Sequence, residues 1–415
     1  MHEPIAAVPA SSPRLTSLDQ FRGYTMVGMI LVNYLGAYKE VTPRLFRHTN
    51  DYCSYADTIM PHFFFAVGFA MRLSLGKRIE AGGKMPWGRA IRRILGLALV
   101  AIVWYSITDL SDIIKQFQTK PTGVVLHTLF KGLYFQTLMH IAATSLWILP
   151  VIATSWKTRL GYTVMSALIH FLISWWFNFA WVQSSPGGID GGPLGFFSWA
   201  IPTLSGTIAC DTVRTWGQGA ARKLTFAGLG VMLFGWALSN GTVLYNVPPG
   251  QDEAMVAAQA ASSAADRFPI DPKKFSSDPV VPTWDRIKSW DGTLVEPPFV
   301  PPPDFHHRRL NYWMMSQRTC NLSYTIFSAG LSLLVYAIFL VICDGMHFRL
   351  GLFRTLGTNS LAAYVLHDVA IWIVSPFVVR NSRSVALVLA GYVVVTLLVY
   401  GACRFLEWKK WYLRV

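Results

Sequence analysis

The chain is poor in charge, in acid and in cysteine. Only 14% of its residues are Asp, Glu, Lys or Arg, and the acidic ones number 22 against 36 basic ones. So little charge beside 53% hydrophobic residues excludes a disordered chain, which needs the reverse composition. It also leaves more apolar surface than a soluble domain can hide. Five cysteines are too few for a disulfide-stapled secreted scaffold. No internal repeat is evident, which removes the usual sequence pointer to a repeat-built transporter. The first twenty residues have neither a basic start nor an apolar core, so no cleaved signal peptide is expected and the first span directs insertion itself.

What is abundant is apolar runs. A membrane-crossing helix needs roughly 20 mostly apolar residues, and about ten such stretches are present, near Met26, Phe63, Ile94, Ile141, Val164, Leu194, Phe226, Tyr324, Leu361 and Val385. The weakly apolar segment Leu126 to Phe135 predicts one further half-buried helix. The expected fold class is therefore all-α, a polytopic integral membrane helical bundle of about ten spans in a lipid bilayer. The net charge of +14 then belongs to loops on one side rather than to a nucleic-acid groove. Basic residues do fall in every second loop: Arg72, Lys77, Arg78, Lys84, Arg89, Arg92 and Arg93, then Lys157 and Arg159, then Arg214, Arg222 and Lys223, then Arg349 and Arg354, and finally Arg404, Lys409, Lys410 and Arg414. With Arg380 and Arg383 as exceptions in a tight outer turn, this predicts both termini on the cytosolic side.

The expected organisation is a cytosolic tail over 1–16, spans one to seven over 17–245, a Pro-rich extracytoplasmic loop over 246–322, and three more spans over 323–415. Within the loop, Ala254 to Ala265 predicts a short helix and the prolines predict extended chain. A lid, a partner-docking element and a non-catalytic cover all fit it.

Ionisable side chains at membrane depth are costly and mark candidate sites. Ser17 to Gly23, S-L-D-Q-F-R-G, places Asp19 and Arg22 three residues apart on one helical face. That reads as a helix-start ion pair with Ser17 or Asp19 capping, or as a ligand contact through Arg22. Around the first outer loop come Asn33, His48 and Asp57, with Pro61 and His62 following. A histidine beside a carboxylate is the minimal general-base arrangement, although a loop histidine is more often solvated and Asn33 alone serves as helix-packing glue. Asn359, Ser360, Tyr364, His367 and Asp368 recur at helical spacing and form a polar stripe that must face protein or a wet cavity. His140, His170, Asp190 and Asp211 are scattered and read as structural. Cys53 and Cys320 fall on the predicted outer side, where a disulfide would tie the His48 loop to the end of the Pro-rich segment if their Cα atoms come within about 7 Å. Cys210, Cys343 and Cys403 read as membrane-core residues. Exposed aromatic residues suit lipid or a homodimer interface equally.

The segment R-L-T-S-L-D-Q-F-R-G-Y-T-M-V-G-M-I-L-V-N-Y, a loop histidine, and A-D-T-I-M-P-H-F-F-F-A-V-G together resemble the opening of the heparan-alpha-glucosaminide N-acetyltransferase family of transmembrane acyltransferases. D-G-G-P-L-G from Asp190 with Gly206, N-L-S-Y-T-I-F from Asn321, and L-G-T-N-S-L-A-A-Y-V-L-H-D from Leu356 extend the likeness in the same order. It covers Arg14 to about Asp368. The chain departs from the family pattern at T-N-D-Y-C after His48, where a Trp-Asn-Gly-like stretch is usual, and at Gln136-Thr137, where a Gln-Arg pair is usual. The family's lysosomal member has an outer domain before its first span, and the resemblance places this chain in a bacterial inner membrane.

The resemblance implies transfer of an acetyl group from cytosolic acetyl-CoA, the donor substrate, to an amino sugar or glycan across the membrane, with no metal. His48 would be the catalytic histidine and Asn33 a residue near the thioester, with Asp57, Asn359 and His367 lining the same cavity. Asn33, Asn359 and Ser360 are candidate oxyanion donors, and Arg89, Arg92 and Arg93 candidate phosphate contacts. His48 acts either as general base or as a covalent acetyl carrier. The alternatives are an O-acetyltransferase of envelope glycans, a non-enzymatic transporter of an anionic solute, and a membrane scaffold.

Overall fold

The computed structural model describes residues 15–80, 83–246, 276, 278–290, 292, 298–299, 309–379 and 382–412, without the side chains of 77–80. The expected helix from Ala254 to Ala265, most of the Pro-rich loop, the tail before Leu15, Arg380 and Arg414 lie outside the described residues.

Among the described residues the architecture is helical throughout. The principal helices are α1 (Thr16–Gly36), α2 (Tyr55–Glu80), α3 (Trp87–Thr108), α4 (Leu110–Thr119), α5 (Thr122–Thr128), α6 (Thr137–Ile148), α7 (Trp156–Ile173), α8 (Phe179–Gln183), α9 (Phe196–Trp216) and α10 (Ala220–Ser239). After the Pro-rich stretch come α11 (Trp284–Lys288), α12 (Leu322–Phe339), α13 (Gly351–Thr358), α14 (Ser360–Val374) and α15 (Val385–Trp408). Seven helical runs are long and apolar enough to cross a membrane. One of them, the 54 residues Gly192–Tyr245, contains both α9 and α10, which separate at Gly217, a residue with φ of 51°.

Apolar side chains stand exposed along the outer helices, Leu95, Leu99 and Val103 on α3, Leu168 and Leu172 on α7, Phe226 and Leu233 on α10, and Leu397 on α15. Such a continuous apolar rind exceeds what soluble monomers tolerate. It is the outer surface of a helix bundle suited to a bilayer, where lipid rather than water meets those residues. Burial concentrates on α1, α2, α9 and α12, whose side chains supply most of the core. At the centre α2 and α9 meet through glycine. A Cβ on Gly68 would stand 1.8 Å from the Thr203 carbonyl oxygen, and one on Gly206 would stand 2.0 Å from that of Phe65. Without side chains there, two backbones reach van der Waals contact, the device by which apolar helices associate in lipid.

Two differences from the sequence-based expectation concern helix starts. α1, expected as the first span, is not among those seven runs; it begins at Thr16, ten residues before the apolar run at Met26, because its first turns are buried against protein despite their polarity. Neither Ser17 nor Asp19 caps it. The cap position is Leu15, which makes no side-chain bond, and Asp344 supplies the acceptors instead: its Oδ1 takes the Ser17 N–H at 3.1 Å and its Oδ2 the Ser17 hydroxyl at 2.5 Å. The half-buried segment expected near Leu126 to Phe135 is α5 with the helical turn Leu129–Leu133. The amphipathic α4 before it had no counterpart among the apolar runs.

Cross-links gather two opposite ends. The Ser17 pair with Asp344, the Gln20 pair with the Leu350 backbone, the Gln218 bond to the Asp344 carbonyl, the Arg72 and Arg159 bonds to Asp211, and the Arg354 bond to Glu407 hold one end. His48, Asp57, Asp190 and Gln317 hold the other.

Candidate active site

The site is built at the start of α2. In S-Y-A-D, Ser54 precedes the helix and Asp57 lies in its first turn. Asp57 Oδ2 accepts from the Ser54 N–H and from the Ser54 hydroxyl, each at 2.9 Å, and Ser54 Oγ accepts the Asp57 N–H at 3.3 Å. This reciprocal capping satisfies donors that a helix start leaves open. It also fixes the carboxylate, since Asp57 is fully buried and its own carbonyl accepts the Tyr324 hydroxyl at 2.5 Å. The second carboxylate oxygen, Oδ1, is left to face His48 Nδ1 at 2.8 Å.

His48 is carried by the short loop after α1. Its side chain is 52% exposed, and it lines a cavity with Met29, Asn33, Met60, Thr137, Gln317 and Tyr364. A carboxylate accepts only, so the proton between them belongs to Nδ1 and Nε2 carries the lone pair. Burial pulls the imidazole pKa down. The bond and charge of Asp57, aided by Asp190 and Gln317, more than offset this, and the net shift is upward. The result is a histidine oriented and made more basic by a fixed anion.

A second carboxyl group approaches from the loop before α9. The Asp-Gly-Gly run 190–192 holds positive φ at all three residues, 54°, 85° and 61°, which glycine takes freely and aspartate tolerates. Trp199 Nε1 clamps the Asp190 carbonyl at 3.0 Å, and Gln317 Nε2 donates to Asp190 Oδ1 at 3.0 Å. Burial pushes the Asp190 carboxyl up to about 6 against the opposing pull of Gln317 and His48. Asp190 was expected to be structural. The fold instead places it in the electrostatic field of His48, with Gln317 beside both. No spacing rule joins residues more than a hundred positions apart, and the only hint of Asp190 was its glycine-rich turn.

Across the cavity, Asn33 Nδ2 lies 2.9 Å from His367 Nε2. His367 Nδ1 faces the Tyr364 carbonyl and carries a proton, while Nε2 stands between the Asn33 amide and Asp368. Asp368 Oδ1 also lies 3.2 Å from His367 Nε2, while its Oδ2 accepts from Trp104 Nε1 at 3.0 Å. The Tyr364 and Tyr105 hydroxyls meet at 3.1 Å. The half-open cavity offers about 70 Å³, room for a few waters at roughly 10–15 Å³ each.

The remaining candidates separate from this group. Arg22 Nη2 donates to Ser360 Oγ at 2.5 Å. Asn359 Nδ2 donates to the Thr355 carbonyl at 3.2 Å and to Thr358 Oγ1 at 3.1 Å, leaving its buried Oδ1 without a partner. Of the three residues expected to line the cavity, Asp57 and His367 stand behind it, bonded to the lining residues His48 and Asn33, and Asn359 does not reach it, because seven residues of α14 separate Ser360 from His367, roughly 10 Å of helix rise. Arg89, Arg92 and Arg93 lie exposed on α3. His62 bonds Ser332 and His170 bonds Tyr312, both buried and neither lining the cavity. Cys53 and Cys320 are free thiols, so no disulfide joins them. No group of three or more potential metal ligands occurs among the described residues.

No protein-family model matches the chain, and no curated protein matches it.

Proposed function

We propose that the protein is a transmembrane acetyltransferase, moving an acetyl group from cytosolic acetyl-CoA to an amino sugar or glycan on the far side. The observation that carries this reading is the His48 to Asp57 pair at 2.8 Å, with His48 lining a cavity beside Asn33. The resemblance set out above supplies the donor.

In this reading the chain crosses the membrane ten times, through α1, α2, α3, α6, α7 with α8, α9, α10, α12, α14 and α15. The basic end, with Arg72, Arg159, Arg354 and Arg404, faces the cytosol and His48 faces outward, which satisfies the positive-inside rule. Both termini are then cytosolic, in a bacterial inner membrane.

His48 Nε2 accepts a proton from the acceptor amine or hydroxyl while its nitrogen or oxygen bonds to the acetyl carbonyl carbon. The thioester C–S bond breaks and CoA leaves as the thiolate, which takes up a proton. Alternatively Nε2 itself forms the bond to the acetyl carbon, and the acceptor attacks acetyl-imidazole in a second step. Asp57 stabilises the imidazolium in either route. The Asn33 amide, which lines the cavity with His48, would be the donor for the developing oxyanion.

Purified protein is assayed with radiolabelled acetyl-CoA and glucosamine. Loss of transfer in His48→Ala, with the variant folded, is the expected result. Wild-type transfer by His48→Ala sinks the proposal. Labelled product from a hydroxyl-only glycan but not from glucosamine turns the reading to an O-acetyltransferase.

A further inference from the structure

At the end of the bundle remote from His48, two arginines share one carboxylate. Arg72 on α2 donates from Nε to Asp211 Oδ1 at 2.7 Å and from Nη1 to the Ile152 carbonyl at 3.1 Å. Arg159 on α7 donates from Nη2 to Asp211 Oδ2. Arg159 is fully buried, and its Nε and Nη1 have no hydrogen-bond partner. A structural tie between α7 and α9 accounts for Nη2 alone. It leaves two buried donors unmet, which native proteins rarely do.

The guanidinium fork matches pairs of oxygens on carboxylate or phosphate. The cluster is also within reach of solvent, since Arg72 is 12% and Asp211 26% exposed. Gly76, one turn beyond Arg72, keeps the approach open. A Cβ there would stand 3.4 Å from Arg72 Nη1 and 3.5 Å from Arg214 Nη1, so a side chain would occupy the space between two guanidinium groups. Asp211 orients both of its arginines and, as one carboxylate, balances only one of them.

We propose that Arg72 and Arg159, held in place by Asp211, form a binding site for phosphate oxygens of a monoester or diphosphate. In the acetyltransferase reading, on which the identity of the occupant rests, that phosphate belongs to CoA. Arg72 follows Asp57 by fifteen residues on α2, roughly 22 Å of helix rise, so the phosphates would lie a long extended arm away from the acetyl group. A phospholipid headgroup presents the same oxygens.

The test titrates pyrophosphate into the full-length protein in lipid-free detergent by calorimetry. Wild type is expected to bind, more weakly as salt rises. Arg72→Gln, a partly exposed position, is expected to weaken binding about ten-fold, the loss of one charge-assisted hydrogen bond. Arg159→Lys keeps the charge and loses the fork, and it weakens binding as well. Displacement of pyrophosphate by CoA assigns the phosphate to the donor. Displacement by phosphatidylglycerol nanodiscs but not by CoA keeps the phosphate site, assigns it to lipid, and counts against the acetyl-CoA reading alone. Absence of pyrophosphate binding by folded wild type, or equal binding by folded Arg72→Gln, overturns the site. Loss of transfer in His48→Ala with unchanged pyrophosphate binding separates the two proposals.

Discussion

Replacing Asp57 by asparagine tests the reasoning about His48 most directly. The carboxylate makes three side-chain bonds, to the Ser54 N–H, to the Ser54 hydroxyl and to His48 Nδ1, all between 2.8 and 2.9 Å. Asparagine keeps one acceptor oxygen and replaces the other with an NH₂ group. If its oxygen stays on Ser54, the NH₂ faces His48 and drives the ring to the tautomer with the proton on Nε2, which no longer accepts from substrate. If the amide turns over, two N–H donors oppose each other at the start of α2, at about 1–3 kcal/mol. General-base assistance, worth roughly 10² to 10⁴ in rate, is lost in the first arrangement. Removing the anion also withdraws support from the imidazolium, so the His48 pKa falls. A reaction that needs the neutral base rises with pH through that pKa, and in wild type this limb lies above the ordinary histidine value of 6.5. In Asp57→Asn the residual limb moves to lower pH. Ser54→Ala is the matched variant: it costs about 0.5–2 kcal/mol of helix capping and leaves the pair with His48 intact, so it lowers melting temperature and spares the pH limb. The assay is acetyl transfer from pH 5 to 9. Asp57→Asn activity within about ten-fold of wild type, with an unmoved limb, would refute the orienting role, since it falls short of the smallest general-base effect.

Gly206→Ala sets a Cβ against the Phe65 carbonyl oxygen at 2.0 Å, and overpacking of about 1–3 kcal/mol or more is expected as a lower melting temperature in detergent. An unchanged transition would show that α2 and α9 separate easily. The Asp190 carboxyl is raised from 3.8 to about 6, so its contribution to stability is complete below about pH 4 and is lost as pH rises through about 6. Asp190→Asn is therefore expected to flatten the fall in stability between pH 4 and 7, read by thermal unfolding at each pH, and parallel curves would contradict the assignment. Cys53 and Cys320 are fully buried and burial pushes both thiols well above their usual range. Maleimide with mass spectrometry should label neither in the folded protein and both after denaturation, and a mass two units light without reductant would show a disulfide instead.

Hydropathy made the apolar helices legible, because a span that meets lipid cannot disguise its composition. It located ten runs, and two of them, near Leu194 and Phe226, correspond to the α9 and α10 that share one continuous apolar stretch. It missed α4, whose apolar residues Leu110, Ile114 and Phe117 stand at helical spacing among polar ones. The neighbours His48 and Asp57 were legible as a pair because nine residues and one helix start separate them. Gln317 and Asp190 were not, because their meeting depends on a loop turn and on how α9 and α12 pack. Asn359 was misplaced for the opposite reason: nearness to His367 in sequence does not overcome the helix rise between them. The capping of α1 by Asp344 was equally out of reach, as it joins residues 327 positions apart.

That last bond bears on how the chain reaches its final form. α1 packs against α13, α14 and α15 as well as α2, and its first turn takes its acceptors from a carboxylate near the end of α12. During synthesis the first turn of α1 therefore waits for Asp344, and Arg22 for Ser360, both far along the chain. Helices that insert singly and associate afterwards allow that delay.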